Sequence, residues 1–260
     1  MNGAPIAHTL PKTAVILGAT GGIGEAVTLN LLGQGWNVIG TYHAQASAEA
    51  LKKAAESLKM QERGQGKGIS FTNSIGTLTL YHYDERDRQS ENALVSALCV
   101  AGEIGLFTST VGALGMQRFE RTDEATFKDL YEVTVFSQVR LLQKLSPQLC
   151  EGSSVVFILT EMTVKDPPPL FSGYVSAKYA LLGLMKSLAR EWAPRKIRVN
   201  ALSPGMMETR FSTPIPKLVK NEYAKRTKAG SLTIPQDVAQ GMLNLLAHSE
   251  ITGTNKVIPE

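Results

Sequence analysis

Tyr174 and Lys178 stand four residues apart in "SGYVSAKYAL", a segment whose apolar residues recur at helical spacing. Positions i and i+4 share one helix face, so the phenol and the amine point the same way. A free phenol has a pKa of about 10 and keeps its proton at neutral pH. A neighbouring ammonium favours the phenolate and lowers that value. Such a pair is a general acid–base unit for interconverting a carbonyl and an alcohol. Alone, the spacing Tyr-x3-Lys is common by chance, and two amphipathic side chains on an exposed helix explain it equally well.

The stretch before the pair, "FILTEMTVKDPPPLF", carries Thr160, Glu161 and Thr163. A hydroxyl donor beside the phenol stabilises the charge that develops on a carbonyl oxygen. Thr160 supplies such a donor. Glu161 competes for the place, and a carboxylate there would raise the phenol pKa and hinder catalysis.

A second group of residues suits a phosphate. "TAVILGATGGIG" is a β-branched apolar run that ends in glycines 18, 22 and 24, with Thr20, Gly21 and Ile23 among them. Glycine lets the backbone turn sharply and approach a pyrophosphate, and the following helix offers free N–H groups and a partial positive charge. The weaker reading of Gly18, Gly22 and Gly24 is a tight turn between strand and helix. Their place, directly after a strand and opening a helix, favours dinucleotide binding. The next strand ends "GTYHAQ", where Tyr42 and His43 stand and no carboxylate does. NAD sites often place an acid there on the ribose hydroxyls. Its absence favours NADP(H) over NAD(H), with His43, Lys52 or Lys53 available to a 2′-phosphate. The glycine loop itself brings no arginine or lysine.

These residues need elements to hold them. "TAVILGA", "WNVIGTY", "LTLYHYD", "IGLFTSTVGA", "SSVVFILT" and "IRVNALSPG" read as six strands in order, and "NKVIP" as a possible last one. Between them fall helical patterns, notably "GEAVTLNLLGQG", "SAEALKKAAESL", a long helix "TFKDLYEVTVFSQVRLLQKLSPQL", the Tyr174 helix, and "PQDVAQGMLNLLAHS" with Pro235 in its first turn. Parallel strands need crossover helices, so the alternation predicts an α/β, Rossmann-type doubly wound parallel sheet with helices on both faces. Ligands bind such sheets beyond the carboxyl ends of the strands. Most of the candidate residues fall at those ends.

Composition narrows the function classes. The chain has 260 residues, 43% hydrophobic and 19% charged, with no linker-like segment or repeat, which predicts one domain over 1–260. A net charge of +4 with interleaved signs argues against nucleic acid as a partner. Cys99 and Cys150 lie far apart and suggest a reducing, cytoplasmic setting. No apolar run is long enough for a membrane span, and no leader is read in the first residues. His8, His43, His82 and His248 show no metal-ligand spacing, so no metal site is expected.

Together these motifs resemble the short-chain dehydrogenase/reductase family, of the classical type and similar to 3-oxoacyl-carrier-protein reductases, over nearly the whole chain. "GATGGIG" resembles its cofactor loop, "SGYVSAKYAL" its catalytic helix, and "RVNALSPGMMET" the segment whose Pro204, Gly205 and Thr209 lie along the nicotinamide. The resemblance implies that Asp84 contacts the adenine and that Lys178 also holds the ribose. It implies carbonyl reduction with Tyr174 as acid, and a dimer or tetramer.

Three positions depart from the family pattern. Ser109-Thr110-Val111-Gly112 replaces an N-N-A-G turn, with Thr110 still on the cofactor side. Thr134 replaces the asparagine whose bound water relays protons to the lysine. Thr160 replaces the serine, the triple proline at 167–169 accounting for the shifted spacing. The residues 206–230 read as a substrate lid, rich in Met and Phe near its start and carrying six basic residues against one acid between Arg210 and Lys228. They suggest an apolar carbonyl substrate, and the basic residues suit an acidic carrier protein. The changed positions also allow a catalytically weakened, cofactor-binding homologue that acts as scaffold or as partner subunit in a hetero-oligomer.

Overall fold

Two hydrophobic cores form on opposite faces of one strand. In β1 (Thr13–Leu17), Ala14 and Ile16 enter one core while Val15 and Leu17 enter the other. Successive side chains of a strand point to opposite faces, so an unbroken apolar run requires cover on both. The structure is a computed structural model that describes residues 10–65, 68–73 and 76–258. His8, the first nine residues and the last two lie outside the described residues.

The helices supply that cover. On one face lie α1 (Gly22–Gly33), α2 (Gln45–Glu56) and α8 (Pro235–Ala247), contributing Val27, Leu31, Leu51, Val238 and Met242. On the other lie α3 (Arg88–Leu98), α5 (Ser137–Leu145) and α6 (Ser172–Glu191), contributing Leu94, Leu141, Leu181 and Met185. Each fully buried Leu, Ile or Met contributes about 2 kcal/mol.

Nine strands pair in the order β3-β4-β5-β2-β1-β6-β7-β8-β9 among the described residues. β2 (Asn37–Tyr42), β5 (Thr77–His82), β6 (Ile104–Ser109), β7 (Leu149–Ile158), β8 (Arg198–Pro204) and β9 (Asn255–Ile258) run parallel with β1. The doubly wound α/β architecture expected from the alternation is therefore present. Two edge strands were not anticipated. β4 (Ile69–Thr72) pairs antiparallel to β5, with Phe71 opposite Leu78, and β3 (Gln61–Gln65) pairs antiparallel to β4. "QERGQ" has no apolar alternation, so its place is given by pairing at the sheet edge and not by its own pattern. α3 also went unread, although Asp87 caps it by accepting from the Gln89 and Ser90 N–H groups.

The order places β2 and β6 on either side of β1. Chain connections leave β1 in opposite directions there, which opens a crevice at the strand ends. The predicted long helix is also interrupted. α4 (Glu124–Tyr131) and α5 are joined by a π-helical turn, Glu132–Phe136, that contains Thr134. Such turns concentrate at functional sites because the extra residue re-aims the backbone.

Close backbone packing makes α1 sensitive. A Cβ on Gly24 would fall 2.0 Å from the Gly18 carbonyl oxygen, a backbone atom that cannot swing away. Gly24→Ala is expected to cost about 3 kcal/mol or more, read as a lowered midpoint in urea denaturation.

Candidate active site

The phosphate end is built around Gly18, which has φ +76° in the left-handed region that glycine tolerates. Its N–H donates to Thr41 Oγ1 on β2 at 2.9 Å. From the end of β6, Thr110 Oγ1 donates to the Leu17 and Gly18 carbonyls, both at 3.0 Å. The replaced N-N-A-G turn thus still clamps the loop through a hydroxyl. Thr20 Oγ1 lies 3.1 Å from Ser47 Oγ of α2. α1 begins at Gly22 with no side chain capping its first turn. Those N–H groups, above a backbone without Cβ atoms, fit a dinucleotide pyrophosphate.

A cavity of about 530 Å³ runs from this loop to the Tyr174 helix. Gly18, Thr20, Gly21, Gly22, Ile23, Tyr42, His43, Thr110, Thr160, Tyr174, Lys178, Pro204, Gly205 and Thr209 line it. Three expected residues are not in its lining. Gly24 packs against Gly18. Asp84 Oδ1 accepts from the Arg86 N–H at 3.0 Å, and the Asp84 N–H donates to Ser90 Oγ at 3.0 Å. Its neighbour Glu85 lines the cavity, with a carboxyl raised above the usual range by burial and pulled back partly by His43. His43, Asp84 and Glu85 bring possible ligating atoms within 4.8 Å of one another, a grouping that their sequence spacing did not announce. Thr134 Oγ1 accepts from the Ala113 N–H at 3.2 Å. Gly112 lies between Thr134 and the Tyr174–Lys178 pair, since a Cβ there would lie 3.9 Å from Thr134 Oγ1 and 3.6 Å from Lys178 Nζ.

At the chemical end, Tyr174 and Lys178 are 7% and 4% exposed. They continue the core-facing stripe of α6 that runs on through Leu181, Met185 and Ala189. This disposes of the exposed-helix explanation. Lys178 Nζ donates to the Ile158 carbonyl at the end of β7, at 2.7 Å, and lies 5.9 Å from the Tyr174 ring centroid. Burial lowers its pKa to about 8. Burial also pushes the Tyr174 phenol up to about 12, against a lowering hydrogen bond from Thr160. The influences on the phenol here are loss of solvent, which raises it, and the Thr160 hydroxyl, which lowers it.

Thr160, not Glu161, meets the phenol. Thr160 Oγ1 also accepts from the Met162 N–H and caps the short turn Glu161–Thr163. That turn carries Glu161 aside, where Oε2 pairs with Lys165 Nζ at 2.6 Å and Oε1 accepts from the Tyr223 hydroxyl. Tyr223 belongs to α7 (Lys217–Arg226), inside the expected lid. Its phenol is raised by burial and by Glu161. It also explains Gly205, where a Cβ would fall 2.6 Å from the Tyr223 hydroxyl. Sequence reasoning missed Tyr223, Glu85 and Arg210. Only Arg210, next to Thr209, carried a local signal.

Beside Tyr174 the wall is apolar. Phe171, Val175 and Ile215 cluster with it, and Leu114, Met116, Met162 and Met206 pack around them. Phe211 stands with its ring centroid 6.0 Å from that of Tyr174.

The model of the short chain dehydrogenase family matches residues 12–219. The chain belongs to this family and is an NAD(P)-dependent oxidoreductase. It is 30% identical to human dehydrogenase/reductase SDR family member 4 over 255 residues, covering 95% of this chain and 86% of that protein. It is 29% identical to tropinone reductase-like 3 of Erythroxylum coca over 252 residues, covering 95% and 91%. A dehydrogenase/reductase from Sinorhizobium meliloti has the same fold, with a TM-score of 0.81, 26% identity, and 96% and 94% of the two chains covered. Among the described residues no helix is long and apolar enough to cross a membrane.

Two expectations follow from these contacts. Tyr223→Phe leaves a buried Glu161 oxygen without its donor, at a cost of about 1–3 kcal/mol. Hydrogen exchange across 217–226 is expected to accelerate in this variant. Lys178 titrates near 8 when folded and near 10.4 unfolded. Between these values the unfolded chain binds more protons, so stability rises with pH on this residue's account, and the gain is lost as pH falls through 8. Denaturation midpoints at pH 7.5 and 9.5 are expected to show that rise in the native chain and its absence in Lys178→Met, both pH values lying below the Tyr174 transition.

Proposed function

We propose that the chain is an NADPH-dependent reductase of apolar ketones, with Tyr174 as general acid and Thr160 as the second donor to the carbonyl oxygen. The observation that carries this reading is the buried Tyr174 phenol, in one cavity with Thr160 and Lys178 and facing an apolar wall. A protonated phenol is the form that reduction requires, because it must donate as the alkoxide develops. The reduced nicotinamide, when bound, supplies the hydride. Lys178 is placed to hold a ribose hydroxyl and to return a proton to the phenol. Pro204, Gly205 and Thr209 border the space for the nicotinamide.

NADPH over NADH is supported by the end of β2, where Tyr42 and His43 present no carboxylate. The side chains of Phe171, Met162, Met206 and Phe211 favour an uncharged ketone with aliphatic or aromatic substituents. The basic face expected on the lid is thinner than its sequence implied. Lys220 is buried on Glu208 at 2.8 Å, and Lys225 pairs with Glu222 at 2.8 Å. This favours a free ketone over a carrier-bound one.

Tyr174→Phe is expected to lower the rate of NADPH oxidation with an apolar ketone by about 10³-fold or more, and Thr160→Val by about 10²-fold, with NADPH affinity little changed. Steady-state kinetics with a panel of ketones, paired with an NADPH titration, decide the matter. Full activity in Tyr174→Phe would overturn the mechanism. Tight NADPH binding without turnover of any ketone, relieved by adding a homologous subunit, would instead establish the scaffold role.

A further inference from the structure

The phosphate end of the cavity lacks positive charge in its own loop. A dinucleotide pyrophosphate carries two negative charges, and the glycine loop offers it backbone N–H groups alone. Among the residues lining the cavity, Lys178 and Arg210 are the one lysine and the one arginine. Lys178 is committed to the chemical end through the Ile158 carbonyl. Arg210 is not. It begins a short turn, Arg210–Ser212, directly after Thr209. Its Nη2 donates to the Thr20 carbonyl of the glycine loop at 2.9 Å, across 190 residues of chain. The approach is rigid on both sides. The Thr209 N–H donates to Ser212 Oγ at 3.2 Å, and Ser212 Oγ donates back to the Thr209 carbonyl at 3.0 Å. Below, a Cβ on Gly22 would fall 2.8 Å from Thr209 Cγ2, so the turn rests on the first residue of α1.

A guanidinium has five donors in a planar fork, and one bond to Thr20 leaves the fork able to reach a phosphate oxygen as well. We propose that Arg210 binds the pyrophosphate of the cofactor, pinning the base of the lid onto the glycine loop so that cofactor binding and lid closure are coupled. This rests on the cavity being a dinucleotide site, and it adds a cation that no part of the glycine loop provides. Anion and lid then hold each other in place.

Calorimetric titration of NADPH and of NADH into the native chain, Arg210→Gln and Arg210→Lys tests this, at low and at high salt. Both dinucleotides share the pyrophosphate. Arg210→Gln is therefore expected to raise both dissociation constants by the same factor, about tenfold or more. It should also flatten their salt dependence, and Arg210→Lys should recover part of the loss. Thermal unfolding without cofactor is expected to fall slightly in Arg210→Gln through the lost bond to Thr20, whereas the salt dependence of dinucleotide affinity reports the phosphate contact, which a merely structural role would not move. Equal affinity in Arg210→Gln and the native chain overturns the proposal and leaves the reductase reading intact. A loss confined to NADPH also overturns it, because it places the guanidinium on the 2′-phosphate. Failure of the native chain to bind either dinucleotide removes the cofactor reading itself, and this proposal with it.

Discussion

Lys178 is a buried amine whose charge is met by the Ile158 carbonyl. A single carbonyl dipole replaces little of the hydration that an ammonium loses, so the amine is held near its titration point at about 8. The phenol four residues earlier lies in the same dry volume and keeps its proton up to about 12. A carboxylate turned inward here would reverse part of the balance, holding the amine charged and raising the phenol further. The arrangement of β7, its exit turn and α6 keeps that from happening. Ile158 ends the strand, Thr160 stays with the phenol, and Glu161 is carried around the turn to Lys165 and Tyr223.

That small rotation ties the lid to the site. Glu161 is buried and needs a donor, and α7 delivers Tyr223 to it. Tyr223 in turn presses on Gly205, and Lys220 is drawn inward by Glu208. The 206–230 segment is thus held by polar contacts at its helix, by Arg210 on the glycine loop at its base, and by the Met206–Thr233 backbone bond at its end. Two of these contacts join loops at the carboxyl ends of different strands: Tyr223 on Glu161 ties the segment after β8 to the turn after β7, and Arg210 on Thr20 ties it to the loop after β1. Together they close the crevice that the strand order opens around β1.

The legible parts of the sequence were those with short-range causes. A β-branched run followed by glycines fixes β1, the loop and α1, because the turn and the close packing on Gly18 depend on neighbours within seven residues. The i, i+4 placement of Tyr174 and Lys178 follows from helix geometry alone. The parts that were not legible depend on partners far along the chain. β3 is polar and exists by pairing with β4. Tyr223 sits 62 residues from Glu161, and nothing in "NEYAK" marks it as an active-site residue. Spacing reveals the presence of an amine beside the phenol but not the loss of water around both groups. The choice between Thr160 and Glu161 turned on one backbone turn, which neither residue type specifies.

In the proposed reduction, Thr160 and a protonated Tyr174 share the carbonyl oxygen of the substrate while Glu161 stays with the lid. A crystal structure with NADPH and an unreactive ketone analogue tests this. The analogue oxygen is expected about 2.7–3.0 Å from both the Tyr174 and Thr160 hydroxyls, with the Glu161 carboxylate on Tyr223. A Glu161 carboxylate turned onto Tyr174, with Thr160 pointing away, would contradict it.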